Sequence, residues 1–199
     1  MKDAPKIRRT IIDRNGLPVQ FPTHRHSAKF WEQLGRTVAT FGFLEEILGK
    51  AIFAFTATRN YSAQEIDAAY EAWLPQLQRA LTDQLWSLAE SYGKAVRSSQ
   101  NATIKNVDEL VDDIKSATKI RNVLCHGSWR APDEDGKSLP LFINKDNEIF
   151  ETPIDMAFLD QVQRHVTELA CAVIDSVTHM GWQFPGGAGP GEKIWACPS

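Results

Sequence analysis

ATKIRNVLCHGSWR, residues 117–130, is the stretch on which the fold turns: a helical repeat runs into it and ends on an Arg-Asn pair followed by a His-Gly. Working back from it, Leu110, Ile114, Ala117 and Leu124 recur on one helical face. The capping sequence Asn106-Val107-Asp108-Glu109 supplies a start, and Gly127 is expected to close the helix as a left-handed cap. At about 100° per residue, Arg121 falls on the same apolar face as Leu110, Ile114 and Leu124. Lys115, Lys119, Asn122 and His126 lie within about 60° of one another and form a separate polar ridge. The stretch therefore carries two faces, one with a guanidinium among core residues and one with cations, an amide and an imidazole.

A guanidinium cannot shed its charge on burial, so Arg121 requires a carboxylate or a phosphate. The carboxylate is found far back in the chain. Phe30, Leu34, Val38, Phe41, Leu48, Ile52 and Phe55 mark a long amphipathic helix from Ser27 to Thr58. Glu45 falls inside its apolar stripe, whereas Glu46 points away. An acid on an apolar face is costly without a partner, and an Arg121–Glu45 pair joining the first and third helices is the expectation.

Between these helices, the capping box Ser62-Ala63-Gln64-Glu65 opens a second helix, with Ile66, Tyr70, Trp73, Leu77, Leu81 and Leu88 carrying it towards Ser98. Pro75 is expected to kink or interrupt it. Beyond residue 130, APDEDGKS is a loop. Leu141–Asn144 and Glu148–Glu151, joined by Lys145-Asp146-Asn147, read as a small β-hairpin. A fourth helix follows from Asp155 to His179, with Phe158, Val162, Val166, Leu169 and Val173 inward. The fold expected is all-α: a four-helix up-and-down bundle with a small β-hairpin inserted between its third and fourth helices. Residues 1–26 form an N-terminal extension with a Thr10–Ile12 strand and a turn at Asn15-Gly16. Residues 27–180 form the bundle, with the hairpin at about 139–152, and 181–199 form a Gly/Pro-rich tail.

Bulk composition narrows the function classes. The chain has 199 residues, 43% hydrophobic and 24% charged, with a net charge of −3. That is enough for one sizeable core and offers no general basic field, so any nucleic-acid site must be a local patch. Three cysteines without CxxC spacing suggest free thiols and a reducing compartment. No signal-peptide core or membrane span is apparent. A cytoplasmic protein with no membrane, metal or cofactor is expected.

Arg121-Asn122-Val123-Leu124-Cys125-His126 has the form R-N-x-x-x-H near the end of a late helix. It resembles the R-x4-6-H signature of the HEPN superfamily, and the likeness covers the bundle from about residue 27 to 180. The resemblance implies a metal-independent endoribonuclease, commonly a homodimer with both motifs at the interface, in a toxin–antitoxin or defence setting. It implies roles too: Arg121 holds the scissile phosphate, His126 is the general acid/base for 2′-OH attack, and Asn122 orients it. Glu45 supports Arg121, while Lys115 and Lys119 attract the RNA backbone. The chemistry is coherent, because RNA brings its own nucleophile and needs proton transfer and a fixed cation. Other members of the superfamily lack catalysis and bind nucleotides or protein partners, an antitoxin among them.

Structural readings stand beside each of these. His126 fits a helix C-terminal histidine favoured by the dipole, and Arg121–Glu45 fits an ion pair that fixes helix register. Cys125 reads as a core or neutral cysteine and His165 as a core histidine. His24 and His26, despite H-x-H spacing, read as a polar segment without a third ligand. Trp129 reads as a packing residue or a base-stacking surface. Five residues on a straight helix place Arg121 and His126 about 140° apart. They meet on one phosphate only if the helix ends or kinks between them, or if a second subunit supplies one.

Overall fold

The computed structural model describes residues 12–57, 62 and 64–188. Residues 10 and 11 of the expected strand, Cys197 and the last part of the tail lie outside the described residues. Among the described residues, five α-helices follow one turn of 3-10 helix at Arg14–Gly16. They are α1 (Ala28–Ala57), α2 (Ile66–Thr82), α3 (Leu85–Arg97), α4 (Val107–His126) and α5 (Met156–Thr178). The fold is all-α, and among the described residues no helix is long and apolar enough to cross a membrane.

The helix α1 is the central element. It packs most extensively on α5, then on α3 and α2, while α4 lies chiefly against α3. Phe41, Leu44, Ile47, Leu48 and Phe55 of α1 are fully buried, as the stripe requires. Two polar bonds lock α1 to α5: Thr37 Oγ1 donates to the Leu159 carbonyl at 3.2 Å, and Gln33 Nε2 to Gln163 Oε1 at 2.8 Å. Deeper, the Tyr92 hydroxyl of α3 donates to Ser176 Oγ of α5 at 2.8 Å. Burial pushes that phenol up to about 12. At its start, α5 is capped by Asp155, whose Oδ1 accepts from Phe158 N at 2.8 Å.

Among the described residues, five helices stand where four were expected. The break lies at Asp83-Gln84, both extended (ψ 153° and 158°), while Pro75 sits exposed inside an unbroken α2. Burial shows why. On one continuous helix Leu81 and Leu85 would share a face, yet Leu81 is 76% exposed and Leu85 only 1%. The chain must turn to bury Leu85 and Leu88. Left at the periphery, α2 keeps Ile66, Tyr70 and Leu81 in solvent. It approaches α1 closely at Gly49, where a Cβ would stand 2.8 Å from the Ala80 carbonyl oxygen. The Ser62–Glu65 box is half formed: Glu65 accepts from Ser62 N at 3.1 Å and Ser62 Oγ at 2.6 Å, but caps no helix N–H.

The hairpin expected at 139–152 does not form as strands. Among the described residues, pairing is confined to isolated antiparallel bridges, Ser128 to Leu141, Ser138 to Ile154 and Ile143 to Ile149. The turn itself forms as expected, with Asn144 Oδ1 accepting from Asp146 N and Glu148 N and Asn147 at φ 63°. The alternation expected of the hairpin is present, with Phe142 and Phe150 packed against the core and Leu141, Ile143 and Ile149 about half exposed, but the pairing stops at single bridges.

Candidate functional site

Helix α4 carries Arg121, Asn122 and His126, and its hydrogen-bonded run is unbroken from Val107 to His126. The angular separation of about 140° between Arg121 and His126 therefore stands, with a rise of about 7.5 Å between them. Asn122 and His126, four residues apart, share a face. The helix closes at Gly127, although not in the left-handed form expected. Gly127 is extended (φ −66°, ψ 138°), and glycine is required there by crowding. A Cβ would lie 2.6 Å from the Val123 carbonyl oxygen and 2.9 Å from Pro140 Cβ.

Arg121 faces Glu45, as the two misplaced charges predicted. Their nearest atoms, Nη2 and Oε1, are 3.7 Å apart, and each side chain is 28% exposed. This is an ion contact beyond hydrogen-bond length. Glu45 Oε1 is buried and has no hydrogen-bond partner, so the carboxylate is neutralised in charge but not satisfied in geometry. Glu45 also lines an open cleft of about 450 Å³ with Glu46, Lys50, Phe53, Leu77 and Leu81 among its walls. Glu46 points outward to pair with Lys50 at 2.6 Å.

The polar ridge divides. Lys115 is drawn to α3, paired with Glu90, 3.8 Å from Asp112, and set over the Trp86 ring at 5.4 Å. It is committed to the α3–α4 contact and does not stand free beside Asn122 and His126. Lys119 and His126 are exposed and Asn122 is half-buried. Among the described residues, the His126 side chain makes no hydrogen bond and no ion pair.

Cys125 is exposed instead of a core residue, because it lies on the outer face of α4. His165 is exposed rather than buried, so it is no core histidine. Cys171 is exposed as well, and its thiol is pushed up by partial burial and then by Glu168 and Asp175.

Sequence reasoning missed one constellation, the ring cluster at the end of α4. Trp129 meets His26, Phe30 and Trp31 at centroid distances of 6.2, 5.1 and 6.3 Å. His26 stacks on Phe30 at 4.5 Å, and His24 stacks on Phe21 at 5.8 Å. His24 Nδ1 and His26 Nε2 are buried without hydrogen-bond partners, and burial pushes His26 below its ordinary value. The supposed polar segment is thus an aromatic seam holding the N-terminal extension against α1 and Trp129. The signal was present as four rings between Phe21 and Phe30 followed by Trp31. Among the described residues, no group of three His, Cys, Asp or Glu side chains is placed to hold a metal ion.

No known family, no curated protein and no solved structure matches the chain.

Proposed function

We propose that the chain is a HEPN-like, metal-independent endoribonuclease working as a homodimer, with Arg121 of one copy and His126 of the other completing each site. One observation carries this reading. Arg121 is held by an ion contact too long to be a hydrogen bond, which leaves donors for a phosphate, while an unbonded His126 stands exposed about 140° away on the same helix. One chain alone does not bring the two faces together. In this reading α1, α3, α4 and α5 form the four-helix bundle, and the bridged segment between α4 and α5 is its hairpin insert. Lys119 supplies backbone attraction, and a cytoplasmic setting fits the exposed thiols of Cys125 and Cys171.

The test is cleavage of structured and unstructured RNA in EDTA. Wild type cuts, and His126→Ala and Arg121→Ala each lose about 10²-fold or more. Mixing the two inactive variants restores about one quarter of wild-type activity, because half of the dimers then carry one intact composite site. Intact RNA with wild type, or variants cutting at wild-type rate, overturns the proposal. A second reading is favoured by the same ion contact: a non-catalytic module that binds nucleotide or a protein partner such as an antitoxin, with Arg121 and Glu45 fixing helix register. Wild type that cuts nothing, together with a structural role for the pair, selects it.

A further inference from the structure

The end of the bundle where α4 stops gathers rings and uncompensated cations, although the whole chain is acidic. Arg25 flanks the two seam histidines, Lys29 precedes Phe30, and Arg130 follows Trp129. All three are exposed, and among the described residues none makes an ion pair. Two of the acids nearest them in sequence are engaged elsewhere, while Glu134 and Asp135 of the following loop are exposed and, among the described residues, make no ion pair. Glu32 is bound to Arg36 at 2.8 Å, and Asp133 Oδ1 accepts from Asp135 N and Lys137 N in its own turn. Between the cations stand Trp31 and Trp129, both half-buried and set edge to face at 82°. Each is fixed before any ligand arrives. Trp31 Nε1 donates to the Thr23 carbonyl at 2.9 Å, and Trp129 follows the crowded Gly127 and the Ser128–Leu141 bridge.

We propose that this face is a platform for single-stranded nucleic acid. Bases stack on Trp129 and Trp31, and Arg25, Lys29 and Arg130 hold the adjoining phosphates. Rigid aromatic faces interleaved with cations suit a flexible strand, because every base offers a ring and every linkage a charge. A duplex hides those ring faces. Trp129 lies three residues past His126, within about 10 Å along the chain, so a strand on the platform passes the imidazole. The link to cleavage rests on the ribonuclease reading, whereas the binding does not.

The experiment uses the full chain and a fluorescein-labelled 2′-O-methyl oligouridylate of about twelve nucleotides, which lacks the nucleophilic hydroxyl and spans the platform. Anisotropy titrations at several salt concentrations give affinity and salt slope. The exposed triple variant Arg25→Glu, Lys29→Glu, Arg130→Glu should bind at least about tenfold more weakly, with a log–log slope shallower by about 2. Trp129→Ala should weaken binding about tenfold and Trp129→Phe should recover part of it, with circular dichroism confirming the fold. The double variant Arg79→Glu, Lys94→Glu, on α2 and α3, should bind as wild type does. No binding by wild type at low salt, a triple variant that binds like wild type, or equal loss in the α2/α3 variant overturns the platform. If the oligonucleotide binds as described and wild type cuts no RNA, only the ribonuclease reading falls. If RNA is cut and the triple variant binds and cuts normally, only the platform falls.

Discussion

The Arg121–Glu45 contact lends itself to a double-mutant cycle with a magnitude set by its geometry. Two unit charges at 3.7 Å attract by about 4–5 kcal/mol at an effective dielectric of about 20. Most of that is cancelled by desolvation, because both groups have left part of their hydration behind. The contact is longer than a hydrogen bond, so no charge-assisted bond adds to it. Each side chain remains 28% exposed, which puts the pair near the upper end of surface pairs. A coupling free energy of about 1 kcal/mol is expected.

The single variants should be unequal. Arg121→Met removes the cation facing Glu45 Oε1, which is already buried and unbonded, and should cost about 1–2 kcal/mol. Glu45→Gln leaves a guanidinium whose long, flexible stem lets the head reach water, and should cost about 1 kcal/mol or less. The double variant should recover the coupling energy, and 1 M salt should shrink it. Urea unfolding followed by circular dichroism and by fluorescence of the six tryptophans measures all four corners. Additivity within about 0.3 kcal/mol would mean that the two charges ignore each other. A coupling above about 3 kcal/mol would mean a sealed, hydrogen-bonded pair and no guanidinium donor to spare.

Three further perturbations probe the surroundings. Burial holds His26 below its ordinary 6.5, so its neutral form stabilises the fold above about pH 6.5, and that contribution is lost as pH falls through the lowered folded value; His26→Phe should flatten the fall in melting temperature between pH 7.5 and pH 5. Gly127→Ala places a methyl 2.6 Å from the Val123 carbonyl oxygen and 2.9 Å from Pro140 Cβ; an overpacking cost of about 1–3 kcal/mol is expected in urea unfolding, with altered Trp129 fluorescence. Tyr92→Phe removes the donor to Ser176 Oγ, but that hydroxyl keeps its own bond to the Val173 carbonyl, so a loss of only about 1 kcal/mol is expected by thermal melting.

Legibility in the sequence followed the strength of the periodic signal. The stripe from Phe30 to Phe55 is long and nearly fully buried, that of α5 is buried at Val166, Leu169 and Val173 and half-buried at Phe158 and Val162, and both helices end within a residue of expectation. Glu45 and Arg121 were legible as a pair because each breaks an otherwise apolar stripe, and a charge there must be answered. The Asp83-Gln84 break was hidden because Ile66, Tyr70, Leu77 and Leu81 keep helical spacing whether or not they are buried. Spacing reports a face; it does not say whether anything covers it. Lys115 escaped for a related reason. A wheel places it on the ridge with His126, but Trp86 and Glu90, which decide where its ammonium goes, belong to another helix.

The unbroken run of α4 through His126 turns a sequence motif into a stoichiometric problem. Had the helix ended at Asn122, the chain could have swung His126 back towards Arg121, and one copy would suffice. Instead the last turn is fixed from both sides: Gly127 N still donates to the Val123 carbonyl at 2.8 Å, and the Ser128–Leu141 bridge clamps the residue after it. Rotating His126 by about 140° would break both. In the ribonuclease proposal, the group that joins Arg121 to His126 therefore comes from outside the chain, as a second Arg121–His126 pair or as a phosphodiester that bends around the helix end. The quarter-activity mixing result separates these, since only the first lets two inactive chains rescue each other.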